Sequence, residues 1–196
     1  MTAAASAPAT SGLVGRLNGA WHKRALWIFL AITLAHWAEH LVQAGQIWLL
    51  GWERPDSRGV IGQWFPMVVT EEWLHLGYAV VMLAGLALLL PAMTGRARKW
   101  WIAALAIQVW HFVEHGLLWL QAAMDQPFFG KEVPTSVAQL VFMRVELHLF
   151  YNLAVFAPML VAMYFHRVPP EREWSMEPRC TCRILGTHEH LPVAAG

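Results

Sequence analysis

The chain has 196 residues, 57% of them hydrophobic and only 14% charged, where soluble domains carry roughly 25% charged residues. Its formal net charge of +1 excludes the basic face of a nucleic-acid binder, and its two cysteines, Cys180 and Cys182, stand too close in the chain to staple a fold. With a mean hydropathy of +0.41 and twelve tryptophans, which collect where a bilayer meets water, the composition is that of a membrane protein.

Residues 1–24, rich in Ala, Ser, Thr and Gly over the first twenty positions, read as a disordered cytoplasmic N-terminus. A first apolar run at about 25–50 exceeds the ~20 helical residues that cross a bilayer. Pro55, Gly59, Gly62 and Pro66 then break any helix through a linker over 51–66. The second run, about 67–90, stops at Pro91. A short basic link, with Arg96, Arg98 and Lys99, leads to the third run at about 100–124. A loop with Pro127, Gly130 and Pro134 separates it from the fourth, about 139–165, which ends before Pro169 and Pro170. Residues 166–196 are a polar tail, in which Cys180, Cys182, His188 and His190 read as incidental rather than as a metal site.

Basic residues set the orientation. Arg16, Lys23 and Arg24 precede the first run, Arg96, Arg98 and Lys99 lie between the second and third, and Arg167, Arg172, Arg179 and Arg183 follow the fourth. The other two loops carry few basic residues, balanced by Glu53, Asp56, Asp125 and Glu132. The chain is therefore expected to be an all-α, multi-pass integral membrane protein of four transmembrane helices over 25–165, with both termini cytoplasmic and a bacterial-type cytoplasmic membrane as its default location.

The third run repeats the first. A shift of 75 residues lays Leu30-Ala31-Ile32 on Leu105-Ala106-Ile107, His36 on His111, Glu39 on Glu114, His40 on His115 and Gln46 on Gln121. A shift of 73 lays His75 on His148 and Tyr78 on Tyr151. Apolar helices match each other by accident at Leu and Ala, but not at His and Glu, which are rare in spans. The expected plan is a four-helix bundle made by tandem duplication of a two-helix unit, repeat 1 at about 25–90 and repeat 2 at about 100–165. Both copies share one orientation, which places the site at the repeat interface.

Six of the ten histidines fall in the apolar runs: His36, His40, His75, His111, His115 and His148. At ~1.5 Å per residue, His36 to His40 lie about 17–22 Å from the cytoplasmic start of their helix and His75 about 12 Å from the opposite start. In a core ~30 Å thick these levels nearly meet, so one layer of the bundle can hold all six. Imidazoles with carboxylates are the ligand set of iron, zinc or manganese, often as metal pairs in bundle cores. The expected ligands are His36, Glu39, His40, Glu72, His75, His111, Glu114, His115, Glu146 and His148. Two divalent ions would be balanced by Glu39, Glu114 and two of Glu71, Glu72 and Glu146. Glu39 and Glu114 are also the candidate catalytic carboxylates, with Tyr78 and Tyr151, one turn beyond a histidine, as hydrogen-bond donors or electron relays. Gln46 and Gln121 are candidates to orient ligands. Glu146 sits about 200° around the helix from His148, so both cannot point squarely inward, and Arg144 is placed to pair with Glu71 or Glu72.

These residues point to a dinuclear, non-haem metal centre, with iron the first metal the ligand set suggests, and to oxygenase- or desaturase-like oxidation of a lipid-soluble substrate, with an electron-donor protein or quinol as partner. His-x-x-Glu-His, present twice, also fits a membrane zinc hydrolase with glutamate as base. Bis-histidine haem b, with Gly45, Gly77 and Gly116 making room, accounts for the histidines but not the glutamates. Metal or proton transport would use similar residues but lacks broken helices here.

Overall fold

The structure is a computed structural model that describes residues 12–173 and residue 182. Among the described residues every regular element is helical and there is no strand. In chain order the α-helices are α1 (Leu13–Leu17), α2 (His22–Trp48), α3 (Ile61–Trp64), α4 (Met67–Thr70), α5 (Glu72–Leu89), α6 (Gly95–Ala123) and α7 (Arg144–Arg167). The four long ones pack in a ring: α6 lies against α5 and α7, and α2 closes the ring against α7 and α5.

α2, α5 with its continuation to Ala92, and α7 are each long and apolar enough to cross a membrane. α6 has 29 residues but is not among them. Gln108, His111, Glu114, His115 and Gln121, all buried, lower its hydropathy along the face turned to its neighbours. The outward faces show the opposite character, with Trp27, Ile28, Ile32, Leu34 and Leu41 of α2 exposed. Polar inside and apolar outside is the arrangement lipid favours and water does not.

The packed core fills one half of the bundle, the half that holds the start of α2 and the end of α7. Leu26 and Phe29 of α2, Met82 and Leu86 of α5, Trp101 and Ala104 of α6 and Met159 and Ala162 of α7 form one cluster. Trp101 is fully enclosed and its indole N–H donates to the Leu86 carbonyl at 2.7 Å. Gly85 is what lets Phe29 lie against α5, since a Cβ there would run into the Phe29 ring.

The helix starts explain where the expected boundaries move. α5 begins at Glu72, not at residue 67, because Glu71 is extended (φ −91, ψ 115) and cuts off the turn α4. α7 begins at Arg144, not at 139, because Met143 is likewise extended (φ −71, ψ 152) after a 3-10 turn at Ala138–Leu140. Part of the N-terminus expected to be disordered is folded. Asn18 is buried, its amide donating to the Leu88 carbonyl at 2.7 Å and accepting from the Ala92 N–H at 2.9 Å, which ties the α1–α2 corner to the end of α5. At the other end Glu173 accepts the Arg96 N–H at 3.1 Å and so places an anion at the positive start of α6.

Candidate metal centre

Each half of the bundle presents two histidines one helical turn apart on one face, because residues four apart in an α-helix are neighbours. His36 and His40 of α2 approach with Nε2 to Nε2 at 3.1 Å, and His111 and His115 of α6 at 3.0 Å. Two nitrogens bound at ~2.1 Å to one ion and about 90° apart are ~3.0 Å from each other. Both pairs therefore have the spacing of two adjacent corners of a metal's coordination shell. His75 of α5 and His148 of α7 complete the layer. The His148 ring lies 5.0 Å from His40, 5.2 Å from His115 and 6.0 Å from His111, and the His75 ring lies 5.9 Å from both His115 and His148. The six histidines are thus one continuous cluster.

Hydrogen bonds on the far side of three rings decide which nitrogen faces inward. His75 Nδ1–H donates to the Glu71 carbonyl at 3.1 Å and His148 Nδ1–H to the Arg144 carbonyl at 2.7 Å. His40 Nδ1–H donates to the Gln43 amide oxygen at 2.7 Å. Since those oxygens only accept, Nδ1 carries the proton and the lone pair sits on Nε2. This is how outer partners usually orient metal-binding imidazoles. His148 Nε2 is buried and has no hydrogen-bond partner among the described residues. The ligand atoms of His111, His115 and His148 lie within 4.8 Å of one another, all three residues buried, and can hold a metal ion.

The carboxylates go elsewhere. Glu39 accepts the N–H groups of Val60 at 2.7 Å and Ile61 at 3.1 Å, at the start of α3. Glu114 accepts the Ala138 N–H at 3.2 Å, at the start of the Ala138–Leu140 turn. Both act as N-terminal caps for loop helices, which carry a partial positive charge there. Glu39 still lines the cavity beside His36 and His40. Glu72 is held by Arg144 through two parallel bonds of 2.5 and 2.8 Å, the pairing expected of Arg144 with one of the two neighbouring glutamates. Glu146 turns out of the bundle to Arg54, with bonds of 2.6 and 3.1 Å, as its angular offset from His148 requires. In this structure the imidazoles converge, while the four carboxylates expected among the ligands are bonded to loop N–H groups or to arginines.

The two glutamines are latches rather than ligand-orienting groups. Gln46 accepts the Gly59 N–H at 2.9 Å and donates to its carbonyl at 3.3 Å, while Gln121 accepts the Thr135 N–H at 3.2 Å and donates to its carbonyl at 2.9 Å. Each lies seven residues, two turns, beyond the glutamate of its own helix, so both side chains fold a loop back over the same helix end. The tyrosines do join the layer: Tyr78 stacks on His36 at 3.5 Å and Tyr151 on His111 at 4.6 Å. Tyr151 also accepts the Trp110 indole N–H at 2.8 Å.

Two openings reach the histidines. One cavity of about 400 Å³ is bounded by His36, His40, His75 and Tyr78 and by apolar Ile32 and Val69. A second, of about 690 Å³, reaches His40, His75 and His148 past the charged Glu72, Arg144 and Arg54. Both are in the size range of small-molecule sites.

Two features escaped the sequence reading. Gln43 holds His40, and its position three residues on, on the same helix face, was the available signal. A second group of ligand atoms within 4.8 Å, His22, His166 and Cys182, lies at the other end of the bundle. Its signal was the common depth of His22 and His166, both at the terminal ends of their runs; Cys180, His188 and His190 lie outside the described residues. No protein family, characterised protein or solved structure matches the chain.

Proposed function

We propose that the chain is a four-span membrane metalloprotein, formed by duplication of a two-helix unit, whose histidine layer binds two transition-metal ions, iron first among them, and oxidises a lipid-soluble substrate. The observation that carries this reading is the convergence of His111, His115 and His148, with the His148 Nε2 buried and unpartnered. A buried polar atom in that position costs free energy that a metal ion would recover. His36 and His40, with His75 nearby, are the matching half for a second ion.

Duplication is supported by contacts that recur at equivalent positions: the histidine pairs, the tyrosine stacks, the glutamate caps and the glutamine latches. A four-span reading needs α6 to lie in the membrane behind its apolar outer face, where Ile102, Val109, Trp110 and Val113 are exposed. Substrate would enter by the apolar cavity beside His36 and Tyr78, and the charged opening past Arg144 would serve water, protons or an anionic group. The ions would supply the redox chemistry; the chain's own part is to hold the imidazoles and to stack Tyr78 and Tyr151 against them as electron relays.

A histidine triad is also the ligand set of catalytic zinc, which keeps a hydrolase as the second reading. It is weakened because Glu39 and Glu114, the bases it needs, are bonded to loop N–H groups.

The test is elemental analysis of detergent-purified protein and of a His115→Ala/His148→Ala variant, with oxygen uptake measured on lipids and quinols. Iron lost in the variant, with helical content retained and oxygen uptake abolished, supports the proposal. Iron content equal in both proteins overturns the site. Zinc without oxygen uptake moves the function to hydrolysis.

A further inference from the structure

We infer that His22, His166 and Cys182 form a second, separate metal site that fastens the C-terminal tail to the bundle by one soft or borderline ion, of the zinc or copper(I) class. The three residues come from distant places in the sequence. His22 opens α2, His166 is in the last turn of α7, and Cys182 belongs to the tail. All three are buried, at 0%, 5% and 5% exposure. Their ligand atoms lie within 4.8 Å of one another, and the two imidazole rings meet edge to face at 5.0 Å.

Three observations point to a metal rather than to ordinary packing. His22 Nδ1–H donates to the Leu17 carbonyl at 2.9 Å, which puts its lone pair on Nε2, the same orienting bond that His75 and His148 make. Lys23 and Arg167 line a small cavity that also touches Cys182, and cations beside a thiol favour the thiolate, the form that binds metal. That cavity, about 20 Å³ in volume, borders Cys182 and leaves room for one water beside the thiol. Thiolate with imidazole selects zinc and copper(I) over magnesium, calcium or manganese. On the orientation read from the basic residues the site faces the cytoplasm, where thiols stay reduced.

The site is independent of the histidine layer and stands or falls separately from the proposed oxidation chemistry. The probe is cobalt(II), added to the reduced full-length chain in detergent after chelation, because only a thiolate ligand gives a sulfur-to-cobalt charge-transfer band. The expected result is that band in the wild-type chain and in His115→Ala/His148→Ala, and its loss in Cys182→Ser and in His166→Ala. Cobalt bound without the band, or a band that survives in Cys182→Ser, overturns the inference. Proteolysis gives a second readout, since Arg179 and Arg183 flank Cys182 and are trypsin sites. Zinc at a hundred times its dissociation constant should slow cleavage there by about a hundredfold; cleavage rates equal with and without zinc would also overturn it.

Discussion

Arg144 of α7 and Glu72 of α5, which stand diagonally across the ring of helices, are joined in a two-pronged ion pair, with nitrogen-to-oxygen distances of 2.5 and 2.8 Å. The glutamate is 9% exposed and the arginine 38%, so the pair is buried on one side only. It sits one turn from both His75 and His148 and links the first turns of α5 and α7. Removing the arginine strands a carboxylate that the interior cannot solvate. Arg144→Ala should therefore destabilise the chain by about 1–3 kcal/mol, below the ~3–5 kcal/mol of a fully buried pair. Glu72→Gln, which removes the charge but keeps an acceptor, should cost less. Thermal unfolding in detergent orders the two variants, and equal midpoints would refute the distinction.

Neighbouring residues on α7 should behave in opposite ways toward metal. His148 points its unpartnered Nε2 into the layer, whereas Glu146 is committed to Arg54 at the surface. His148→Ala should weaken metal binding by more than about a hundredfold, since even the outer partners of ligands are worth about 10–100-fold. Glu146→Ala should leave it unchanged. Titration of the stripped protein with each variant checks this, and a loss of affinity in Glu146→Ala would restore that carboxylate to the ligand set.

Two glycines in the same loop offer a controlled comparison. Gly51 and Gly59 both have positive φ, 68° and 76°, so alanine at either meets the same backbone strain, of about 1–2 kcal/mol. Around Gly51 there is open space, while a Cβ at Gly59 would strike the Glu39 carboxylate. Gly59→Ala should unfold at a distinctly lower temperature than Gly51→Ala and should expose the 51–66 loop to protease. Matching stabilities would mean that the Glu39 cap is not formed in solution.

Trp101 tests the other end of the bundle. Trp101→Ala removes a fully enclosed ring and leaves the Leu86 carbonyl without its donor, a loss of about 3–5 kcal/mol. His36→Ala, at a half-buried position beside a cavity, should cost well under half of that. Chemical unfolding of both variants in the same detergent measures the contrast, and a histidine variant as damaging as the tryptophan one would refute it.

The helices and the histidine layer were legible in the sequence because both follow from short-range rules. Runs of apolar residues mark the helices, and a spacing of four puts His36 on His40 and His111 on His115. The angular argument also placed Glu146 away from His148. What the sequence did not disclose depends on loops. Glu39 and Glu114 look like ligands because they sit beside histidines, but their partners, Val60, Ile61 and Ala138, lie 21 to 24 residues away, where a chain folds back on itself. The start of α7 was misplaced by five residues for the same reason, since residues 140–143 are apolar yet lie outside the helix, after or within the Ala138–Leu140 turn that Glu114 caps. Cys182 reaches His22 across nearly the whole chain, a pairing no local pattern encodes.

The two halves of the bundle are filled differently, solid around Trp101 and open around the histidines, and this separates what the protein is from what it handles. Cohesion resides at one end, so residues at the other can change size, charge or bound ion without the helices coming apart. A lineage carrying this fold could therefore exchange one metal chemistry for another by altering a few inward positions, while the end that holds the helices together stays as it is.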